Sequence, residues 1–217
     1  MEEHKWLKHI LSDVKPDSCP SRLNFHCHTT SSDGSLSPVE LIKQATDKQI
    51  AHLSVTDHNT ISAYKLMNNW LDDNKYQYHS LPKLWTGIEI TGTLKKSLVH
   101  IIGLGFDLSH SSLSPYTNGE SSYGDALNAS NIVNAIHNAG GLAILAHPAR
   151  YRLPYLELLN EAIKIGFDGA EAWYDYEHKK IWKPTRLICS TIDKLLKDHG
   201  LLSTCGTDTH GYDLTTR

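Results

Sequence analysis

A regular alternation of short apolar runs with longer stretches of helical character constrains this chain most. The runs cover residues 22–25, 51–55, 84–90, 98–104, 142–146, 168–173 and 201–205. Each has the length of a β-strand, and several are apolar almost throughout, which is typical of strands covered on both faces. Strand–helix alternation predicts an α/β fold with a parallel sheet. Seven strands in one domain further predict a closed or nearly closed barrel.

The stretches between the runs carry signals for the beginnings and ends of helices. Ser37, Pro38 and Glu40 form a capping-box pattern with proline at the first helical position, which predicts a helix that continues to about Lys48. Spaced apolar residues predict further helices at 61–71, 126–139, 154–164 and 184–199, and a short helix at 6–14. We therefore divide the chain into an N-terminal segment, residues 1–21, and one domain, residues 22–217.

Bulk properties restrict the location and the partners of the chain. A length of 217 residues suits one elaborated domain, and a net charge of −3 gives no field that would attract long nucleic acids. The four cysteines are scattered without a CxxC pair, which indicates reduced thiols. The first residues do not resemble a signal peptide, and no apolar run is long enough to span a bilayer. We therefore expect a cytoplasmic protein with no membrane partner.

Histidine and acidic residues concentrate at the ends of the predicted strands. In parallel barrels these ends meet at one rim, where functional groups gather. Six of the seven predicted strands place an imidazole or a carboxylate at this rim. The residues are His26, His28, Asp57, His58, Glu89, His100, His147, Asp208 and His210. Lone histidines elsewhere, including His137, His178 and His199, are interpreted as helix-face or surface residues.

The ligand chemistry of these residues favours divalent metal ions. Imidazole suits zinc, manganese and iron, and a carboxylate such as Glu89 can bridge two ions. The sequence thus predicts a cluster of two or three divalent ions. Clustered ions favour hydrolysis of a phosphate ester, because they activate water and neutralise phosphoryl oxygens.

The motifs around these residues resemble the PHP (polymerase and histidinol phosphatase) family. They are HCHTTSSDG at 26–34, TDHN at 56–59, GIEI at 87–90, VHIIG at 99–103, AHP at 146–148 and GTDTHG at 206–211. They follow the family's order over residues 22–213. Within the family the chain is most similar to stand-alone nucleoside 3′,5′-bisphosphate phosphatases and to exonucleases that degrade short RNA from the 5′ end.

The resemblance implies a distorted (βα)7 barrel with a metal site at the C-terminal ends of its strands. It implies one ion held by His26, His28, Glu89 and Asp208, a second held by Glu89, His100 and His147, and a third held by Asp33, His58 and His210. A hydroxide that bridges metal ions is then expected to attack a small nucleotide-like phosphomonoester or the 5′ end of a short RNA.

Three further residues are candidates for roles in the site. Asp57 is interpreted as orienting a metal ligand or a water, with a structural strand-end cap as the alternative. Arg150 follows His147 by three residues and is a candidate phosphate clamp, because a guanidinium group matches phosphate geometry; a surface arginine is the alternative. Glu171 is expected either near the site or in a structural polar contact.

The chain departs from the resemblance in two places. A loop at 109–124, rich in Ser, Gly and Asn, stands where the phosphatase relatives carry a helical insertion. The chain also ends at Arg217, soon after the last motif, so we expect the N-terminal segment, a partner chain or a further C-terminal segment to cover the end of the barrel.

Several functions stay open at the level of sequence. A phosphatase of the histidinol-phosphate type, a non-catalytic metal-binding regulatory module, and a related amide or lactone hydrolase are alternatives to the nucleotide phosphoesterase. The metal could be manganese, zinc or iron, because all three accept the same ligands.

Overall fold

A computed structural model of the chain describes residues 2–179 and 181–217. Strands and helices alternate along this part of the chain, as the sequence predicts, except that three strands follow one another between residues 83 and 104. The strands are β1 (Leu23–Asn24), β2 (His52–Ser54), β3 (Lys83–Trp85), β4 (Gly87–Leu94), β5 (Ser97–Leu104), β6 (Leu142–Leu145), β7 (Gly169–Trp173) and β8 (Leu202–Cys205). The α-helices are α1 (Glu2–Ser12), α2 (Pro38–Asp47), α3 (Ala63–Asn74), α4 (Ala129–Asn138), α5 (Tyr155–Ile165) and α6 (Arg186–Asp198).

The strands form two sheets, which confirms a mixed α/β fold. One sheet is parallel in the order β1-β2-β3, and the other has the order β4-β5-β6-β7-β8. The expectation of an all-parallel sheet is wrong at β5, which runs antiparallel to both β4 and β6. The predicted run at 84–90 also contains parts of two strands, because β3 ends at Trp85 and β4 begins at Gly87.

The two sheets contact each other beyond the C-terminal ends of β1, β2 and β8 and near the N-terminal end of β4. Isolated bridges join Cys27 to Thr209 and His58 to Glu89, so β1 approaches β8 and β2 approaches β4. The backbone N–H of Phe25 supports the first junction by donating to the carbonyl of Cys205 at 3.0 Å. Both junctions lie at the edge where the sequence places the candidate ligands.

Helix α2 begins with the predicted capping box. The hydroxyl of Ser37 accepts from the backbone N–H of Glu40 at 3.2 Å, and the Glu40 carboxylate accepts from the backbone N–H of Ser37 at 2.9 Å. These two bonds pair backbone donors that the first helical turn cannot pair itself. The helix buries Leu41 and Ile42 against α3 and the first sheet.

Helix α1 is part of the main core. Leu7 and Leu11 are almost fully buried in the cluster that the second sheet forms with α4, α5 and α6. Leu7 packs so closely over Gly105 that a Cβ there would lie 2.6 Å from its Cδ2 atom, and Gly105 has a φ of +70°. The N-terminal segment therefore covers the domain, while the boundary between residues 1–21 and 22–217 stays a prediction.

The coil that follows β8 packs against α2. Leu214 is fully buried in the smaller core cluster, and its backbone N–H donates to the Gln44 side-chain oxygen at 2.9 Å. This contact brings the last motif of the sequence back to the first sheet. Among residues 2–179 and 181–217, no helix combines the length and the apolar character needed to cross a membrane.

Candidate metal centre

Glu89, on strand β4, lies at the centre of the predicted site. The side chain is 1% exposed, and five imidazoles surround its carboxylate. The distances are 3.2 Å to His26 Nε2, 3.2 Å to His28 Nε2, 3.5 Å to His58 Nδ1, 2.9 Å to His100 Nδ1 and 3.4 Å to His147 Nε2. The strand ends that the sequence identified therefore converge in space.

Asp208, just after β8, is the second buried carboxylate. Its Oδ1 atom lies 3.2 Å from His26 Nε2 and 3.3 Å from His28 Nε2. Its Oδ2 atom accepts from the hydroxyl of Tyr174 at 2.6 Å and from the guanidinium of Arg150 at 3.0 Å. One oxygen is thus fixed by donors, and the other faces the imidazoles.

Asp33 brings a third, half-exposed carboxylate to the outer side of the cluster. Its Oδ2 atom lies 3.3 Å from His210 Nε2 and 3.7 Å from His58 Nε2, and its Oδ1 atom lies 3.6 Å from His28 Nδ1. The loop that carries Asp33 is held to the far end of the chain, because the backbone N–H of Ser35 donates to the carbonyl of His210 at 2.9 Å.

The donor atoms fall into three overlapping groups, each with all of its atoms within 4.8 Å of one another. The groups are His26, His28, Glu89 and Asp208; His58, Glu89 and His100; and His28, Asp33, His58 and His210. The first group equals a ligand set that the resemblance implied. The second contains His58 where the implied set has His147, and the third adds His28.

The side chains present fit divalent metal ions. The Nε2 atoms of His26 and His28 are buried and make no hydrogen bond to any described residue, although carboxylate oxygens lie within 3.3 Å. Buried polar atoms without a partner cost free energy, and each such atom requires an explanation. Imidazole nitrogens and carboxylate oxygens that converge in this way are the ligands that zinc, manganese and iron prefer.

The electrostatics of the cluster show how strongly these groups interact. Burial alone would lower the pKa of His28, but the adjacent carboxylates of Asp208 and Glu89 raise it to about 9. Burial would likewise raise the pKa of Glu89, but His26 and His100 hold it well below its usual value. A divalent cation could replace the protons that balance these carboxylates, which is how metal binding displaces protons.

A cavity of about 490 Å³ opens over the cluster. Two guanidinium groups, those of Arg150 and Arg217, form its cationic side, and both donate to the Oδ2 atom of Asp208, at 3.0 and 3.1 Å. The residues that line the cavity are Asp33, His58, Glu89, His100, His147, Arg150, His178, Asp208, His210 and Arg217. Arg150 therefore lines the cavity, and its role as a phosphate clamp stays a prediction.

Comparison with known proteins identifies the family. Residues 24–188 match the PHP domain, which is well over half of the chain. The chain belongs to the PHP domain family.

A 5′-3′ exoribonuclease of Haemophilus influenzae is 30% identical over 153 residues, which cover 64% of this chain and 53% of that protein. A 3′,5′-nucleoside bisphosphate phosphatase of Chromobacterium violaceum is 30% identical over 87 residues, which cover 40% of this chain and 28% of that protein. The chain thus spans about half, or less, of the length of these relatives.

Two solved structures share the fold of this PHP domain. An amidohydrolase of Chromobacterium violaceum, with bound sulfate and no metal, has a TM-score of 0.71 at 19% identity, over 88% of this chain and 89% of that one. A protein of Bifidobacterium adolescentis described as a metal-dependent phosphoesterase has a TM-score of 0.71 at 21% identity, over 93% and 94%. Because the sequence identities are only 19% and 21%, these two comparisons support a shared fold and nothing further.

Asp57 lies behind the cavity of the PHP domain and does not line it. Its carboxylate accepts from the backbone N–H and the hydroxyl of Thr29, both at 2.7 Å, and from the hydroxyl of Ser32 at 2.8 Å. Within the described residues its oxygens make no hydrogen bond or ion pair with an imidazole. Asp57 therefore positions the loop between His28 and Asp33.

Glu171, on β7, holds two of the candidate ligands from behind. It is fully buried, and its two oxygens lie 3.2 and 3.1 Å from Nδ1 of His26. Its Oε2 atom also accepts from the backbone N–H of His147 at 3.0 Å. A carboxylate on the far nitrogen of a ligating histidine fixes the tautomer and the ring orientation.

Sequence reasoning missed Arg217, Tyr174 and His178. The guanidinium of Arg217 stacks 5.5 Å from the ring centre of Tyr174 and contacts the imidazole of His178. Burial raises the pKa of Tyr174, so its hydroxyl remains a donor to Asp208. Tyr174 follows β7 directly, so the strand-end rule could have found it. Arg217 and His178 lie in coil, and no motif marks them.

Proposed function

We propose that this PHP domain is a metal-dependent phosphoesterase that hydrolyses a small, nucleotide-like phosphomonoester. The observation that carries the proposal is the convergence of buried imidazoles and carboxylates beside the guanidinium groups of Arg150 and Arg217 in one cavity. The exoribonuclease and the bisphosphate phosphatase among the relatives support a substrate of the nucleotide class, with the 5′ end of short RNA as the alternative.

Nine side chains are proposed to hold two or three divalent ions, with manganese, zinc and iron as the candidates. They are His26, His28, Asp33, His58, Glu89, His100, His147, Asp208 and His210. Ions bound there would supply Lewis acidity, which lowers the pKa of a water and neutralises charge on phosphoryl oxygens.

The remaining side chains are proposed to bind and orient. Arg150 and Arg217 would donate to the phosphoryl oxygens, because guanidinium groups match phosphate geometry and both already face the cavity. Glu171 would hold the ring of His26, and Asp57 would hold the loop that carries Asp33. These contacts fix the geometry of the site before the substrate arrives.

We also propose that the two sheets together make the distorted (βα)7 barrel of the family resemblance. The bridges Cys27–Thr209 and His58–Glu89 support this, because they connect the sheets on both sides of the metal centre. The antiparallel pairing of β5 with its neighbours would be the distortion.

The test is phosphate release by the metal-loaded protein. Manganese, zinc and iron are supplied separately, and the substrates are nucleoside 3′,5′-bisphosphates, nucleoside 5′-monophosphates, a short RNA and histidinol phosphate. Glu89→Gln should lower turnover more than about hundredfold, because the change removes a carboxylate that faces five imidazoles. Glu157→Gln, an exposed glutamate, is the control. Failure of the metal-loaded wild type to release phosphate from any substrate would refute the proposal.

A further inference from the structure

A second cavity, of about 480 Å³, lies beside the first and shares Asp33, His58 and His100 with it. The two cavities differ in the chemical groups that line them. The first cavity contains two guanidinium groups, whereas the second adds hydroxyl and amide groups to the shared residues, from Ser31, Ser32, Asn59, Thr91 and Ser121. Its size falls in the range of small-molecule sites. The candidate ligands thus stand between a cavity with two guanidinium groups and a cavity to which hydroxyl and amide groups are added.

The loop at 109–124 forms one wall of the second cavity. The backbone N–H of Gly119 donates to the carbonyl of Asn59 at 2.8 Å, and an isolated bridge joins Asn118 to Thr60. Asn59 is itself held to the metal centre, because its backbone N–H donates to the carbonyl of Glu89 at 3.0 Å. The loop is therefore docked beside the centre and closes one side of the cavity.

Asn59 carries a polar group that the fold leaves without a partner. The residue is 5% exposed and lines the second cavity, yet its Oδ1 atom makes no hydrogen bond within the described part of the chain. An unpaired buried acceptor costs about 1–3 kcal/mol. A carboxamide also carries an amide donor, and Asn59, which lines the cavity, would offer this donor to a hydroxyl group of a ligand.

We propose that the second cavity is the subsite for the leaving group of the phosphoester, and that it selects an uncharged group rich in hydroxyls, such as a sugar. This inference rests on the proposed function. Ser, Thr and Asn side chains exchange hydrogen bonds with hydroxyls in both directions. Among the residues that the structure describes, no lysine or arginine lines the cavity, so it offers a second phosphate no ammonium or guanidinium group. The ribose of a nucleotide meets these requirements.

The experiment compares ribose 5-phosphate with pentyl phosphate on the metal-loaded protein. Both are phosphate esters of a five-carbon primary alcohol, and ribose 5-phosphate adds the hydroxyl groups and the ring oxygen of the sugar. The wild type should prefer ribose 5-phosphate in kcat/KM by at least about tenfold, because a site built to bind hydroxyls discriminates against an analogue that lacks them.

Matched threonines on one strand provide the variants. Thr91→Val removes a hydroxyl that lines the cavity and should lower the preference at least about threefold. Thr93→Val makes the same change two residues along β4, outside the cavity, and should keep the wild-type ratio. Asn59→Asp tests the carboxamide with a residue that tolerates a φ of +52°. This variant should lower the preference as well, through the loss of the amide donor.

The outcomes separate the inference from the proposed function. A wild-type ratio near one between the kcat/KM values for ribose 5-phosphate and pentyl phosphate would overturn the subsite proposal. Equal ratios in Thr91→Val and Thr93→Val would do the same. Neither result would contradict the proposed phosphoesterase activity. Hydrolysis of other phosphoesters without any turnover of ribose 5-phosphate would also overturn it. Absence of turnover with every phosphoester would refute the function itself. Thermal unfolding of each variant shows that a change in the ratio does not come from misfolding.

Discussion

The candidate ligands depend on side chains that do not face the cavity. Glu171→Gln should weaken divalent metal binding by about 10- to 100-fold, because the carboxylate that orients His26 is replaced by a neutral amide. Competition with a chromophoric chelator for zinc measures the affinity independently of activity. Glu177→Gln, on the exposed segment after β7, should bind zinc like the wild type. Equal affinities for the two variants would contradict a positioning role for Glu171.

Arg150 and Arg217 share one acceptor, Asp208 Oδ2, and both line the cavity. Arg150→Ala should lower kcat/KM for the preferred phosphoester by about 10- to 100-fold, because a hydrogen bond to a charged group contributes about 1.5–3 kcal/mol. Arg150→Lys should recover only part of the loss, since lysine lacks the planar fork of donors. Steady-state kinetics test this against Arg152→Ala, an exposed arginine two residues away. A loss of the same size in both alanine variants would exclude a specific contact.

The residues of the site divide into those that sequence could predict and those that it could not. His26, His58, His147 and Asp208 were predictable because they follow strands whose C-terminal ends meet at one edge, and strand ends can be read from apolar runs. Glu89 was included because the run at 84–90 joins the end of β3 to the beginning of β4. Arg217 and His178 were not, because long or exposed side chains from coil reach the site only through tertiary packing.

At the scale of elements, the capping box of α2 gives stability that depends on pH. Hydrogen bonding to Ser37 lowers the pKa of Glu40 from its ordinary 4.5. A carboxyl group whose pKa is lower in the folded state stabilises the fold above its unfolded pKa and loses this effect as the pH falls through the folded pKa. The difference in stability between wild type and Glu40→Gln should therefore be largest above pH 4.5 and should shrink below it.

Urea unfolding of the two proteins from pH 7 to pH 3 measures this difference, and groups that titrate elsewhere cancel between them. In a Ser37→Ala background the Glu40→Gln change should have less effect at every pH, because the partner of the carboxylate is truncated. A pH-independent difference would mean that the Glu40 charge contributes nothing through the box.

The β4–β5 hairpin shows why the direction of a strand escaped prediction. Leu94 pairs with Ser97, so the connection is the dipeptide Lys95-Lys96, with φ angles of +48° and +63°. Two-residue turns with positive φ usually contain glycine, asparagine or aspartate, and this one contains none of them. The sequence consequently carries no hairpin signal, and its two apolar runs predict separate parallel strands.

At the scale of the whole molecule, α1 should unfold with the rest of the domain. Leu7→Ala should lower the free energy of unfolding by about 2–5 kcal/mol, because the change leaves a cavity in place of a fully buried leucine side chain. Leu66→Ala, on α3, removes a leucine that is 51% exposed and should change stability by no more than about 0.5 kcal/mol.

Urea unfolding followed by both far-UV circular dichroism and tryptophan fluorescence tests this prediction. Coincident transitions would mean that residues 1–21 and residues 22–217 behave as one cooperative unit. An unchanged midpoint in Leu7→Ala, or two separate transitions, would mean that α1 is a dispensable addition to the domain.

Three residues at the strand ends, Asn59, His147 and Asp208, hold left-handed φ angles of +52°, +26° and +52°. Such conformations cost about 1–3 kcal/mol each, with Asn and Asp at the lower end, and they persist only where surrounding contacts enforce them. A library of variants sorted for thermostability alone would therefore enrich substitutions that relax these positions. The survivors would be robust but inactive, so directed evolution of this protein needs a screen for turnover at every round.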